Sequence, residues 1–297
     1  MNHLPSRPMT GVHRALLLPA RLFVVLLSLF GLAGCGATWL LYQNLDWLVF
    51  EAMDDRFDIR PDQEDWVKAG LGNLHSWHRM TQLPAYRQTL EGLSLRFADG
   101  LDNADLAWLE ERVERHRRTL VELVVPDLSR FLADLDAEQL ARYAAWSQEA
   151  IDEAGEPLQW SATRRQAWRL EGFIDRIEPW TGELSTTQVR ALEMDVAALP
   201  DMRRTWIGQR RQRHQTLLAL LSTRPAPELI EDLLNGWWLN LEAGYPPSYV
   251  AQRRSMKEQV FALLTRLDAG LTPDQRAQVT RRLEGYVSTI DTVLASR

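Results

Sequence analysis

Apolar positions recur along this chain with a helical period and almost nowhere with the alternation of a strand. Leu106, Leu109, Val113, His116, Leu120 and Leu123 step by three and four residues, which places them on one face of an α-helix. Met256, Val260, Leu263 and Leu267 form a second stripe, and Val279, Leu283, Tyr286, Ile290 and Val293 a third. Stripes this narrow are seams between helices packed nearly parallel or antiparallel. The pattern breaks at Gly155–Pro157, Pro179–Gly182, Pro225–Pro227, Gly244–Pro247 and Gly270–Pro273, each pairing a helix-ending Gly or Pro with a new helix start. The fold class expected is all-α, a multi-helix bundle of about eight or nine capped, amphipathic helices. Two subdomains dividing near 155–160 are one way to arrange them.

One short pattern recurs four times, at Ile59–Gln63, Leu135–Gln139, Leu184–Gln188 and Leu271–Gln275. Local physics accounts for most of it. Asp136, Ser185 or Thr272 caps a helix, the Gln three residues on closes a capping box, and Pro273 suits a first helical position. In the second and third copies the leading Leu can staple against Leu140 or Val189. The first copy carries Arg60 where the cap should be, and Asp58 is the expected substitute. Spacings of 76, 49 and 87 residues between the copies are too irregular for a solenoid.

The first 36 residues read differently from the rest. A basic stretch with Arg7, Arg14 and Arg21 precedes an apolar run from Leu22 to Leu32, then Ala33, Gly34, Cys35 and Gly36. That order is the layout of a secretory signal. A spanning helix fits less well, because glycines interrupt the run and Tyr42, Gln43, Asn44 and Asp46 follow closely. With cysteine as the first residue after the cut, the segment resembles a bacterial lipoprotein signal. The resemblance implies removal of residues 1–34, covalent diacylglycerol and an N-acyl chain on Cys35, and a helical periplasmic domain from 35 to 297. Gly36 stands where the inner-membrane retention signal would have Asp, so the expected location is the periplasmic face of the outer membrane.

Cleavage changes the charge as well. The leader holds three arginines and no acid, so the net charge moves from −6 to −9. An acidic envelope protein is a poor fit to nucleic acid, which demands a basic face. Cys35 is the one cysteine, so lipidation leaves no disulfide and stability must come from packing. The twelve tryptophans are scattered from Trp39 to Trp238, a distribution expected of core filler and interface anchors rather than one binding platform.

Two resemblances extend the reading. The four-copy pattern resembles the LTxxQ motif of small periplasmic stress chaperones, with only Leu271–Gln275 matching in full. The order Tyr42-Gln43-Asn44-Leu45-Asp46-Trp47, Ile59–Gln63, Trp77-His78-Arg79 and Leu83-Pro84-Ala85-Tyr86 after the signal is similar to an uncharacterised family of gammaproteobacterial lipoproteins, a domain of unknown function. That likeness implies a helical envelope lipoprotein and brings no reaction, cofactor or catalytic residue.

Candidate chemistry is sparse. No nucleophile elbow, phosphate loop, dinucleotide turn or HExxH sequence is present, so no catalytic residue, metal ligand set or dissociable cofactor is assigned. His75 and His78 stand three apart and could share a ligand; His116 lies in an apolar stripe and reads as a satisfied core histidine. Asp46 falls in an apolar helix, where a carboxylate needs a partner. Tyr42 one turn earlier and Arg79 are the partners expected, with Asn44 and His78 completing a polar network. Arg112, Arg115, Arg117 and Arg118 lie beside Glu110, Glu111 and Glu114, so pairing is expected there. Arg203, Arg204, Arg210, Arg211 and Arg213 have few local acids and form a candidate anion-binding group.

The function expected is a non-catalytic, lipid-anchored envelope protein that binds an envelope partner or an unfolded client, in a chaperone-like role. A cell-wall hydrolase, whose paired carboxylates leave no linear signature, and a structural accessory subunit of an envelope assembly are the alternatives.

Overall fold

The computed structural model describes residues 40–296; the leader, Cys35 and Trp39 lie outside them. Eleven α-helices make up the described residues. They are α1 (Leu45–Phe57), α2 (Pro61–Trp77), α3 (Leu83–Ala98), α4 (Asn103–Ala133), α5 (Ala137–Gly155), α6 (Ala162–Thr181), α7 (Thr186–Ala198), α8 (Arg203–Leu221), α9 (Pro227–Trp238), α10 (Pro247–Ala269) and α11 (Pro273–Ala295). The fold is all-α. The helix count exceeds the sequence expectation because boundaries also fall at 99–102 and 199–202. Asp102 caps α4 at the first, through the Asp105 amide at 2.9 Å, and Pro200 interrupts the chain at the second. At the other extreme, Pro179 does not end its helix; α6 runs on to Thr181 and stops at Gly182, whose φ of 78° and ψ of −175° suit only glycine.

Four helix–turn–helix units, here called hairpins, organise the molecule, each turning at one copy of the recurrent pattern: α1–α2, α4–α5, α6–α7 and α10–α11; of these, α1 packs along α2 and α6 along α7. The hairpins then pair through those turns. Gln139 Nε2 donates to Gln63 Oε1 at 2.7 Å and to the Asp58 carbonyl at 3.0 Å. Gln275 Nε2 donates to Gln188 Oε1 and to the Glu183 carbonyl, both at 3.1 Å. In return Gln188 donates to Gln275 Oε1 at 2.7 Å and to the Gly270 carbonyl at 2.9 Å. Each glutamine also accepts the backbone N–H of its own cap residue, at 2.9–3.2 Å. One side chain thus closes its helix and reaches the carbonyl just before the partner copy. We call the pair 63/139 lock I and the pair 188/275 lock II.

The locks dictate a shared four-helix arrangement. In the first bundle α1 packs on α2 and α5, and α2 on α4; in the second α6 packs on α7 and α11, and α7 on α10. The helices between paired hairpins cross over. α3 lies on α11 as well as α4, whereas α8 lies on α5 and α9 on α4. The largest apolar core joins Phe50, Phe57, Val125 and Phe131 of the first bundle to Leu217, Leu221, Ile230 and Leu234 of α8 and α9. Leu192, Val196 and Leu263 centre the second bundle. The stripes expected in α4 and α11 are buried at Leu106, His116, Leu120, Val279, Leu283, Ile290 and Val293, while Leu123 is 38% exposed.

Candidate functional site

A break in helical geometry lies beside the first described residues. Between α2 and α3 the chain passes through a single π-turn, His78–Gln82. Pro84 is the local cause. It has no N–H for the Met80 carbonyl and its ring crowds that oxygen, so the turn widens and the Leu83 N–H reaches back to the His78 carbonyl. Single π-turns inside helices gather at functional sites. Here the turn aims His78 and Gln82 into the interior, where each is under 5% exposed.

Around it runs a buried seam of histidines and tyrosines. Tyr42 Oη lies 3.0 Å from His78 Nδ1, and the rings of His78, Tyr86 and His116 follow at 5.5 and 4.8 Å. His116 Nε2 ends the seam against Thr89 Oγ1 at 2.9 Å, in keeping with a satisfied core histidine. Burial, reinforced by His75, pushes the His78 imidazole down to about 4. The ring is therefore neutral, and its Nδ1 shares a hydrogen bond with the Tyr42 hydroxyl. Burial raises the Tyr42 and Tyr86 phenols and lowers His75 against the pull of Asp46. Burial thus disfavours the charged form of each of these histidines and tyrosines.

The expected network around Asp46 is only partly assembled. Tyr42 bonds His78 rather than Asp46. The Asp46 carboxylate is 42% exposed and stands 3.7 Å from His75 Nδ1. Arg79 donates to Ser296 Oγ at 3.2 Å, and Asn44 Nδ2 to the Leu40 carbonyl at 2.8 Å. The reason is the exposure of α1: Trp47, next to Asp46, is 56% exposed, so the carboxylate keeps water as its solvent. Among the described residues no group of three or more His, Cys, Asp or Glu is placed to hold a metal ion, and no helix is long and apolar enough to cross a membrane.

The two arginine clusters separate sharply. In α4, Arg115 pairs with Glu111 at 2.7 Å, Arg117 and Arg118 share Glu114, and Arg112 lies over Trp108. In α8, a helix without a single acid, Arg211 alone has a carboxylate within ion-pair distance among the described residues, Asp152 at 3.9 Å. Arg203 donates to the Ala154 carbonyl and covers the Trp168 ring at 4.3 Å. Arg213 donates to the Ala243 carbonyl and covers Tyr245 at 4.0 Å. Arg210 lies against Trp206 at 5.6 Å, with its Nη1 buried and without a partner. Burial pushes all three guanidinium groups below their ordinary value. Arg204 is exposed. The five arginines therefore do not converge on one pocket; they make a cationic, ring-lined strip along α8.

The described tryptophans line the edge of the core rather than its centre: Trp237, Trp238 and Trp180 are partly buried against it, and none is among the fully buried apolar residues. Trp108, Trp160 and Trp168 lie beneath Arg96, Arg164 and Arg203 at 3.8, 4.0 and 4.3 Å. The signal in the sequence was an Arg one turn from many of them, as in Trp160/Arg164 and Trp206/Arg210. The π-turn had its signal too, in Pro84 within an otherwise helical stretch.

A sequence model of DUF6279, a family of unknown function, matches residues 55–250. The chain belongs to this family. The DUF6279 match covers lock I, the third copy of the pattern and all of α8, and ends before α11. No curated protein and no solved structure matches the chain.

Proposed function

We propose that this DUF6279 protein is a lipid-anchored, non-catalytic lipoprotein on the periplasmic face of the outer membrane. It binds acidic or partly unfolded envelope proteins through the arginine strip of α8, in a chaperone-like role. The observation that carries the binding reading is the acid-free helix itself. In a chain of net charge −6, α8 holds five arginines, three of which (Arg203, Arg210 and Arg213) lie against rings or main-chain carbonyls rather than carboxylates. Half-buried guanidinium groups lacking carboxylates attract those of a partner, and their planar forks bind carboxylate in pairs. Neighbouring rings add apolar contact for an exposed client segment. The anchor reading rests on the order of residues 7–36, and the capped turns at Asp136, Ser185 and Thr272, with the full match at Leu271–Gln275, support kinship with LTxxQ proteins.

A lipid-free Cys35→Ala form at modest molar excess should delay aggregation of an acidic client as it unfolds, measured by light scattering. Replacing the more exposed Arg204 and Arg211 together with Arg210 by Gln should shorten that delay at least twofold, and high salt should do the same to the unaltered protein. Absence of delay across several clients overturns the chaperone role. In-cell crosslinking from membranes that returns one fixed assembly instead of many clients would assign the protein as an accessory subunit.

A further inference from the structure

The first bundle has two unlike ends. At one end, lock I is ringed by carboxylates: the side chains of Asp58, Asp62, Asp134 and Asp136 are 71, 70, 52 and 43% exposed. The other end is bound together by Tyr42–His78 at 3.0 Å, Asp46–His75 at 3.7 Å, and Ser296, which receives Gln43 at 2.9 Å and Arg79 at 3.2 Å. It leaves large apolar side chains in solvent. Leu40 is 57% exposed, Trp47 56% and Met80, on the π-turn, 78%. The π-turn explains Met80: with His78 and Gln82 directed inward, the residues between them face out.

Chain length says what covers this end. Cys35 and Leu40 are five residues apart, a reach of at most ~18 Å when fully extended. We propose that the end bearing Leu40, Trp47 and Met80 is a membrane-contact surface, seated in the headgroup layer of the bilayer that holds the Cys35 acyl chains. This rests on the lipid-anchor reading of Cys35. A tether so short keeps Leu40 near the headgroups, and a partly exposed Trp favours that layer, where one edge of its ring is apolar and the other wet. Charge agrees. The lock I end lies one length of the 13-residue α1 away, about 20 Å, and its four carboxylates outnumber the Arg60 and Arg142 guanidinium groups paired with them, an excess of negative charge that anionic headgroups repel.

The chain has no cysteine besides Cys35, so single thiols can be introduced into the lipidated protein and labelled. Trp47→Cys, Met80→Cys and, at the lock I end, Arg130→Cys would each carry an environment-sensitive fluorophore. The protein, purified from membranes, is reconstituted in phosphatidylethanolamine–phosphatidylglycerol vesicles containing brominated acyl chains. Mass analysis of the N-terminal peptide reports the state of Cys35 in the same samples. Labels at 47 and 80 should be quenched at least twofold more than the label at 130. An acylated protein with equal quenching at all three positions overturns the contact surface and leaves the anchor standing. A Cys35 without acyl chains overturns both. Stronger quenching of a label at Met194, which is 69% exposed on α7, would put a different face on the membrane and overturn the assignment.

Discussion

Locks I and II solve one problem with two chemistries. Both use a glutamine to cap its own helix and hold the carbonyl before the partner copy. In lock II the cap position is Ser185, whose hydroxyl accepts the Gln188 N–H at 3.3 Å, and the residue before the partner copy is Gly270. In lock I those positions are Arg60 and Asp134. Arg60 cannot cap, and Asp58 does not replace it, since that carboxylate pairs with Arg142 at 3.3 Å. Instead the Arg60 guanidinium crosses to the other hairpin, reaching Asp134 at 2.9 Å, Asp136 at 3.2 Å and Gln139 Oε1 at 2.5 Å. Gln63 Nε2 joins it on the Asp134 carboxylate at 2.7 Å. The backbone is alike in the two cases: Asp134 has φ −88° and Gly270 φ −91°, both with ψ 0°. A local cap, worth ~1 kcal/mol, has been exchanged for a bond between hairpins. The lesson is that a capping box is modular, and its two halves serve different levels of structure.

The comparison should show itself most strongly in the glutamines. Gln63 is fully buried and Gln139 2% exposed, whereas Gln188 is only half-buried. Gln63→Ala should cost about 3 kcal/mol by leaving buried donors and acceptors unpaired, against about 1 kcal/mol for Gln188→Ala, read from urea unfolding. Equal losses would break the distinction between a dry lock and a wet one.

Acid should come next. His78, depressed to about 4 from its ordinary value, is neutral when folded and takes a proton more readily when unfolded. Its contribution is therefore intact above about pH 6.5 and is lost as pH falls toward 4, amounting to roughly 3 kcal/mol. Lock I loses strength over a lower range, because Asp136 is held below the usual carboxylate value by the Gln139 and Glu138 amides and by Arg60. A His78→Gln variant should flatten the upper part of the pH–stability curve and leave the lower part unchanged.

Arg60→Ser restores a cap and removes the clamp. A net loss of at most ~1 kcal/mol is expected, and it should vanish in 1 M salt. Smallest of all is the transplant. Ser185→Arg with Gly270→Asp should show a favourable coupling of about 0.5 kcal/mol in a double-mutant cycle, because Gly270 already has a backbone that Asp tolerates. A coupling of zero would mean that the lock I clamp depends on Asp62 and Asp136 as well.

Helices, caps and seams were legible in the sequence because they follow from residues three or four apart. The Ser185, Thr272 and Asp136 caps form as the local pattern requires, and His116 is buried where its stripe placed it. Pairing of the copies was not legible, since the partners lie 76 and 87 residues apart and nothing local says which glutamine meets which. The same limit explains Tyr42, which the helix period directs at Asp46 but which finds His78 across a hairpin. Mean apolarity was ambiguous for α1: apolar residues on nearly every face fit a helix central in the bundle or one against a membrane, and Trp47 is 56% exposed.

The crossing of helices between bundles has a kinetic consequence. Leu83 and Phe97 of α3 are covered by Ile290, Val293, Val279 and Leu283 of α11, a helix far along the chain from α3. Until α11 is made, that apolar face of α3 stays open, whereas the largest core, drawn from Phe50 to Leu234, needs no residue of α11. Contacts so distant along the chain slow folding and prolong the life of sticky intermediates.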